Sequence, residues 1–202
     1  MKIIEDKRAP SPRRVRIFLA EKGIDIEYEQ LNIMVEDHRS EEISGLNPIQ
    51  RIPILVLDDG TAISETLAIC RYFEVLQPDP PLMGQTPLDA AEIEMWQRRV
   101  EQKLLEPVAH TLRHTNPNMA VLEQPQVAQW GEANRVKVDW ALDFLDDELA
   151  KRRFIAGDSY TIADITGLVA IDFMRVIKTA IGDRPNLQRW YKAVSSRPSA
   201  AA

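Results

Sequence analysis

Apolar and polar positions change rhythm partway along the chain. Up to about residue 77 the apolar runs are short and separated by turns. Beyond that point apolar positions recur at helical spacing almost to the end. In the first section, residues 2–6 read as a short strand, and residues 7–12, with two prolines and a serine, as a loop. Ser11-Pro12 predicts a helix start, serine at the cap and proline at the first helical position. Val15, Phe18 and Leu19 share a face of that helix. Arg13, Arg14, Arg16 and Lys22 lie elsewhere, and Gly23 ends it. Partial alternation over residues 24–33 (Ile24, Ile26, Tyr28) predicts a second strand. Residues 36–44 are polar, a short helix or irregular, and Asn47-Pro48 stops them.

The run Ile54 to Leu57 reads as a buried strand, Asp58-Asp59-Gly60 as a tight turn and Thr61 to Ile63 as the returning strand of a hairpin. Pro53, with no N–H for a ladder, suits a strand's first position, and its X-Pro bond could be cis. Ser64-Glu65-Thr66 reads as a helix entrance with a hydroxyl cap and an acid in the first turn, leading into Ile69, Tyr72, Phe73 and Leu76 on one face. This order predicts a small mixed sheet with helices packed on it.

The proline-dense run Gln77-Pro78-Asp79-Pro80-Pro81 marks the boundary. We expect a first domain over residues 1–77, a linker over 78–87 and an all-helical domain over 88–202. In the latter, residues 88–115 form a long helix bent or broken at Pro107 and ended by Asn116-Pro117-Asn118. A second covers 125–151, with Val138, Leu142, Leu145 and Leu149 in one stripe. After a turn at Gly157-Asp158, Thr161 to Asp164 offers a capping box, flanked by Tyr160 and Ile165 as a hydrophobic staple. The helix over residues 162–177 is apolar on nearly all sides and should be buried. A last helix covers 186–195, and the tail from 198 to 202 should be loose.

Composition narrows the function. The chain has 202 residues, 45% hydrophobic and 28% charged, with a net charge of -6, which argues against a nucleic-acid or anionic-membrane surface. One cysteine, Cys70, excludes an intrachain disulfide and a cysteine metal cluster. His110 and His114 stand four apart, as two ligands on a helix face would, but no third ligand is near in sequence, so no metal is expected. No signal peptide is evident and no apolar run reaches the ~18 residues of a membrane span, so the expected location is cytoplasmic.

Five stretches, in order, carry a resemblance: SPRRVRIFLAEKGI at 11–24, EDHRSEEISGLNP at 36–48, RIPIL at 51–55, ISETLAICRYF at 63–73 and AGDSYTIADI at 156–165. Together the chain resembles the cytosolic glutathione transferases over essentially its whole length. It is most similar to the bacterial and fungal subgroup typified by the second yeast glutathione transferase. The resemblance implies an α+β thioredoxin-like N-terminal domain, with a mixed four-stranded sheet, and an all-α C-terminal helical bundle. It also implies a homodimer that binds glutathione and small electrophiles, with glutathione as co-substrate, no other cofactor, and electrophiles held in a groove between domains. Pro53 would be the cis-proline and Ile52 would pair its backbone with the cysteinyl backbone of glutathione. Glu65 and Thr66 would hold the γ-glutamyl end, and His38, Arg39 and Arg51 are candidates for the glycyl carboxylate. Two departures stand out. The family's Asn-Pro-x-Gly is Asn47-Pro48-Ile49-Gln50 here, and the first strand lacks the tyrosine that several classes use on the thiol.

The chemistry needs a thiolate, which a helix N-terminus and hydrogen-bond donors favour. Ser11 is one candidate catalytic donor, against a plain role as a cap. It stands two residues beyond the serine of the serine classes, which would fall at Ala9. His114 is the other, through a histidine-positioned water that takes the thiol proton, against a polar helix-end residue. His110 is a weaker rival. Cys70 reads as a small buried hydrophobe, Asp164 as a helix cap, and Trp96 and Trp130 as packing residues or walls of an apolar pocket. Arg98 and Arg99 would face a partner subunit or solvent. The expected activity is conjugation of the glutathione thiolate to small electrophiles. The alternatives are a glutathione-dependent disulfide reductase or peroxidase, and a non-catalytic regulatory relative.

Overall fold

A computed structural model describes residues 1–202. The chain forms two compact units, one comprising Met1–Pro80 with Ala201–Ala202, the other Pro81–Ala200.

The first unit is built on a four-stranded sheet in the order β2-β1-β3-β4. The strands are β1 (Lys2–Glu5), β2 (Glu27–Gln30), β3 (Ile54–Val56) and β4 (Ala62–Ser64). β1 and β2 run parallel, joined by the crossover helix α1 (Pro10–Lys22), whereas β3 is antiparallel to both β1 and β4. Ile3, Ile4, Ile54 and Leu55 are fully buried, as expected of central strands covered on both faces. Ile4 and Ile54 pack with Ile43 from α2 (Glu41–Leu46). β2 is shorter than its alternation suggests, and two short 3-10 turns, Ile33–Val35 and Asp37–Arg39, lead to α2.

Two helix starts differ from expectation. α1 begins before Ser11: Ala9 is the N-cap and Pro10 the first helical residue. Pro10 and Pro12 both fit a first turn, where no N–H is needed. Ser11 is therefore inside the helix, not its cap. α3 (Thr66–Leu76) starts from Glu65, which makes no side-chain cap bond. Ser64 is the last residue of β4, so neither the hydroxyl cap nor a first-turn acid is present. Lys22, placed off the apolar face of α1, is buried. Its Nζ lies 2.7 Å from the Glu74 carboxylate and donates to the carbonyls of Gln77 (2.7 Å) and Pro80 (2.8 Å).

The second unit is helical. α4 (Pro87–Val100) passes through a π-helical turn, Glu101–Leu105, into α5 (Glu106–Thr115). Pro107 cannot return a hydrogen bond to the preceding turn, and the widened π turn accommodates it without ending the helix. α6 (Ala128–Leu149) buries Val138, Leu142, Leu145 and Leu149. α7 (Ile162–Phe173) is buried from Ile162 to Ile171 and continues as a 3-10 turn, Met174–Ile177. α8 (Pro185–Ser195) follows. Residues 198–201 form a 3-10 turn with Ser199 buried, not a loose tail, and the Ala200 N–H donates to the Arg197 carbonyl at 3.0 Å. No helix is long and apolar enough to cross a membrane.

Candidate functional site

The Ile52–Pro53 peptide is cis. The last rung of the hairpin pairs Ile54 with Ser64, so the backbone N–H and C=O of Ile52 lie beyond the ladder. The loop before them is pinned by Asn47, whose Nδ2 donates to the Arg51 carbonyl at 2.9 Å. Gln50 holds a φ of 55°, a conformation that favours glycine, and its Nε2 donates to Ser44 Oγ at 2.8 Å. Gln50 thus holds a positive-φ turn at the position where the resemblance led us to expect glycine.

Glu65 is exposed and has φ 69° and ψ 123°, a sparsely populated combination for a non-glycine residue. Such strain persists only where the surroundings impose it, and it concentrates at ligand sites. With no cap on Glu65, the first-turn N–H groups of α3 have no side-chain acceptor from the protein. The start of α1 is similar. Its N-cap is Ala9, and Pro10 and Pro12 have no N–H, so the N–H of Ser11 is the one donor of the first three helical positions.

Arg14 joins these two starts. Buried at 4% exposure, it approaches Ser11 Oγ at 3.5 Å and Thr66 Oγ1 at 3.2 Å, while Thr66 Oγ1 donates to the Ser11 carbonyl at 3.5 Å. Ser11, Thr66 and Glu65 therefore share one corner. Sequence reasoning placed Arg14 off the apolar face and missed it. The available signal was that Arg14 and Phe18 stand four apart, on one side of α1.

His38 is buried within reach of the charges of Arg39 and Arg51. Burial holds the His38 imidazole below its ordinary pKa, and Arg39 and Arg51 reinforce that. Its buried Nδ1 has no partner. Arg51 is exposed, and Arg39 pairs with Glu36 at the surface.

His114 is tied into the helical unit. Its Nδ1 accepts the N–H of Val127, the N-cap of α6, at 3.0 Å, and its Nε2 lies 3.9 Å from Glu123. That bond places the proton on Nε2 and makes the ring a brace between α5 and α6. The Cys70 thiol is fully buried and pushed up to about 12 by burial, which keeps it protonated. Trp96 is buried, with the guanidinium groups of Arg99 (4.6 Å) and Arg152 (4.4 Å) near its ring centre. Asp164 accepts from the N–H groups of Ile155 and Thr161, both at 2.9 Å, and from Trp190 Nε1 at 2.8 Å, completing the capping box. No cluster of three His, Cys, Asp or Glu side chains suited to a metal is present.

A mixed sheet with a cis-proline at the start of β3, in a chain whose second unit is purely helical, defines the class of thioredoxin-like proteins with a helical C-terminal domain. Residues 9–76 match the family described as glutathione S-transferase, N-terminal domain, and residues 106–198 its C-terminal domain. Glutathione S-transferase 2 of Saccharomyces cerevisiae is 35% identical over 98% of this chain and 87% of its own length. The crystal structure of Gtt2 from that yeast superposes with a TM-score of 0.95 at 35% identity, covering 100% of this chain and 99% of the other. A class Gtt2 glutathione S-transferase of Vibrio parahaemolyticus gives a TM-score of 0.87 at 35% identity, covering 98% and 94%. The chain belongs to the glutathione S-transferase family.

Proposed function

We propose that this protein conjugates the glutathione thiolate to small electrophiles, with glutathione bound at the corner where α1, α3 and the start of β3 meet. The observation that carries this reading is the pair of uncapped helix starts joined by Arg14 at Ser11 and Thr66. Glutathione presents two carboxylates and an ammonium. The N–H groups of α3 and the Thr66 hydroxyl suit the γ-glutamyl carboxylate, and Glu65 suits its ammonium. The Ile52 backbone would pair with the cysteinyl peptide, and His38, Arg39 and Arg51 would take up the glycyl carboxylate. The thiol sulfur would accept from the Ser11 N–H and hydroxyl, favouring the thiolate. The thiol proton leaves to water, and a sulfur lone pair then forms the bond to an electrophilic carbon, which expels its leaving group or passes electrons to an adjoining acceptor. A water placed by His114 is the competing route for the proton. Its Nδ1 bond to Val127 favours the bracing role.

The same reading includes a homodimer, a cytoplasmic location and no cofactor beyond glutathione as co-substrate. Conjugation to an activated aryl halide, followed by absorbance, tests it. Wild-type protein should turn over, and Glu65→Ala and Thr66→Val should raise the KM for glutathione at unchanged fold. Absence of turnover together with absence of glutathione binding would overturn it.

A further inference from the structure

The end of β1 carries two adjacent carboxylates, Glu5 and Asp6, both nearly closed to solvent. Glu5 is balanced by Arg16, whose Nη1 lies 2.6 Å away, and accepts from Gln30 Nε2 at 2.7 Å. Asp6 is used differently. Its carboxylate accepts the backbone N–H of Arg8 at 3.0 Å, Arg8 Nε at 2.9 Å, Arg8 Nη2 at 2.6 Å and the N–H of Ile33 at 3.2 Å. Its carbonyl accepts the Ala9 N–H at 2.9 Å. Asp6 therefore takes up the two N–H groups that stand just ahead of α1, as a turn-forming aspartate does. Pro10 and Pro12 have none, which leaves the Ser11 N–H as the donor that the helix start presents.

The same pair reaches the loop that carries His38. Arg8 Nη2 also donates to Asn32 Oδ1 at 2.5 Å, and the Asn32 N–H donates to Asp37 Oδ2 at 2.9 Å, one residue before His38. Arg8 turns its fork onto Asp6 although 58% of its side chain is exposed. That fork, and after it the N–H groups of Arg8 and Ile33, hold the Asp6 carboxyl below its ordinary range against the effect of burial, so it stays charged where a thiol titrates. An unbalanced carboxylate beside the start of α1 would oppose a thiolate there, and a bidentate guanidinium cancels that charge. Of the other charged groups at this corner, Glu5 is paired with Arg16, Lys7 is exposed, and Arg14 and Glu65 belong to the site itself.

We propose that Asp6 and Arg8 are a positioning pair for thiol activation: Asp6 sets the turn that leaves the Ser11 N–H open to the sulfur, and Arg8 cancels the charge that Asp6 would otherwise set against the thiolate. This rests on the glutathione reading above. The test is the ultraviolet absorbance of bound glutathione thiolate against pH, in the full chain as wild type, Arg8→Gln, Asp6→Asn and the double variant. Arg8→Gln leaves Asp6 unbalanced, and the bound thiol should titrate about half a pH unit higher. Asp6→Asn keeps an oxygen for the turn but leaves Arg8 unbalanced, and the thiol should titrate lower by a similar amount. The double variant carries neither charge and should return close to the wild-type value, a cancellation that loosening of the loop would not give. Arg8→Lys keeps the charge without the fork and should stay close to wild type in the same titration, with an unchanged circular dichroism spectrum because Arg8 is exposed. Asp6→Ala removes the turn acceptor as well and should lower kcat with an activated aryl halide about tenfold, the scale of one well-placed hydrogen bond. A lowered wild-type value that all the variants share, or shifts of the same sign in both single variants, would overturn the role of the pair and leave the glutathione reading standing. A wild-type bound thiol that titrates as in free solution would overturn that reading and the role of the pair with it.

Discussion

At the start of α7, the Asp164 carboxylate accepts three N–H donors, and Thr161 completes a reciprocal cap. At the start of α3, Glu65 sits at φ 69° with its side chain exposed and no cap bond. At the start of α1, Ala9 has no side chain able to cap. Both arrangements begin helices of similar length, so neither is needed merely to make a helix. The difference is where the missing partner comes from. α7 is closed by its own chain and serves as a folding device in a fully buried setting. α1 and α3 leave donors for something from outside, and Glu65 holds a strained backbone that a plain cap would not require. A helix start without its own acceptor, beside a strained residue, is the mark of a receptor for an anion.

The contrast can be broken at either end. Asp164→Ala should be the most damaging change, removing the acceptor for three buried donors. It should cost about 3–5 kcal/mol, read by urea unfolding, with the remaining folded protein still binding glutathione. The same residue gives a pH test. Burial pushes its carboxyl up to about 6. The folded state therefore keeps this proton in a range where the unfolded chain, near pH 4, has already lost it. The stability it contributes is full below about pH 4 and is lost as pH rises through about 6. Asp164→Asn should flatten that part of the stability profile.

Glu65→Ala should leave stability nearly unchanged, yet weaken glutathione by about a hundredfold, the scale expected when one charge-assisted hydrogen bond to the ligand is removed. An equal fall in stability and affinity would mean that α3 is an ordinary helix start. Thr86→Ala removes the side-chain cap of α4, whose Oγ1 accepts the Asp89 N–H at 3.2 Å. It should cost about 1 kcal/mol in unfolding and nothing in glutathione affinity. Smallest of all, Ala9→Ser supplies α1 with the acceptor it lacks. It should add about 0.5 kcal/mol of stability while weakening glutathione a few-fold, because its oxygen competes for the Ser11 N–H.

Much of this was legible in the chain because it rests on local spacing. The hairpin through Asp58-Asp59-Gly60, the Thr161–Asp164 box and the burial of Cys70 follow from turn chemistry and helical periodicity over a few residues. What was not legible depends on distant partners or on competing local signals. Pro10 and Pro12 each fit a first turn, so the pattern alone did not decide where α1 begins. Arg14 is buried against Thr66, 52 residues away. Its charge marked it as a surface residue until that partner was known. His114 reads as a free imidazole until the backbone N–H of Val127 is found on its Nδ1. Trp130 and Trp140 line a cavity between α6 and the turn leading into α5, which no single-helix periodicity reveals.

The most direct test of glutathione activation at this corner is the ultraviolet absorbance of the bound thiolate, followed against pH in the wild type and in Ser11→Ala. The bound thiol should ionise well below its value in free solution. Ser11→Ala should move it part of the way back, the remaining shift belonging to the Ser11 N–H. A bound thiol that titrates as it does in water, or a lowered value that Ser11→Ala leaves untouched while His114→Ala restores it, would contradict a role for the α1 start in activating the thiol.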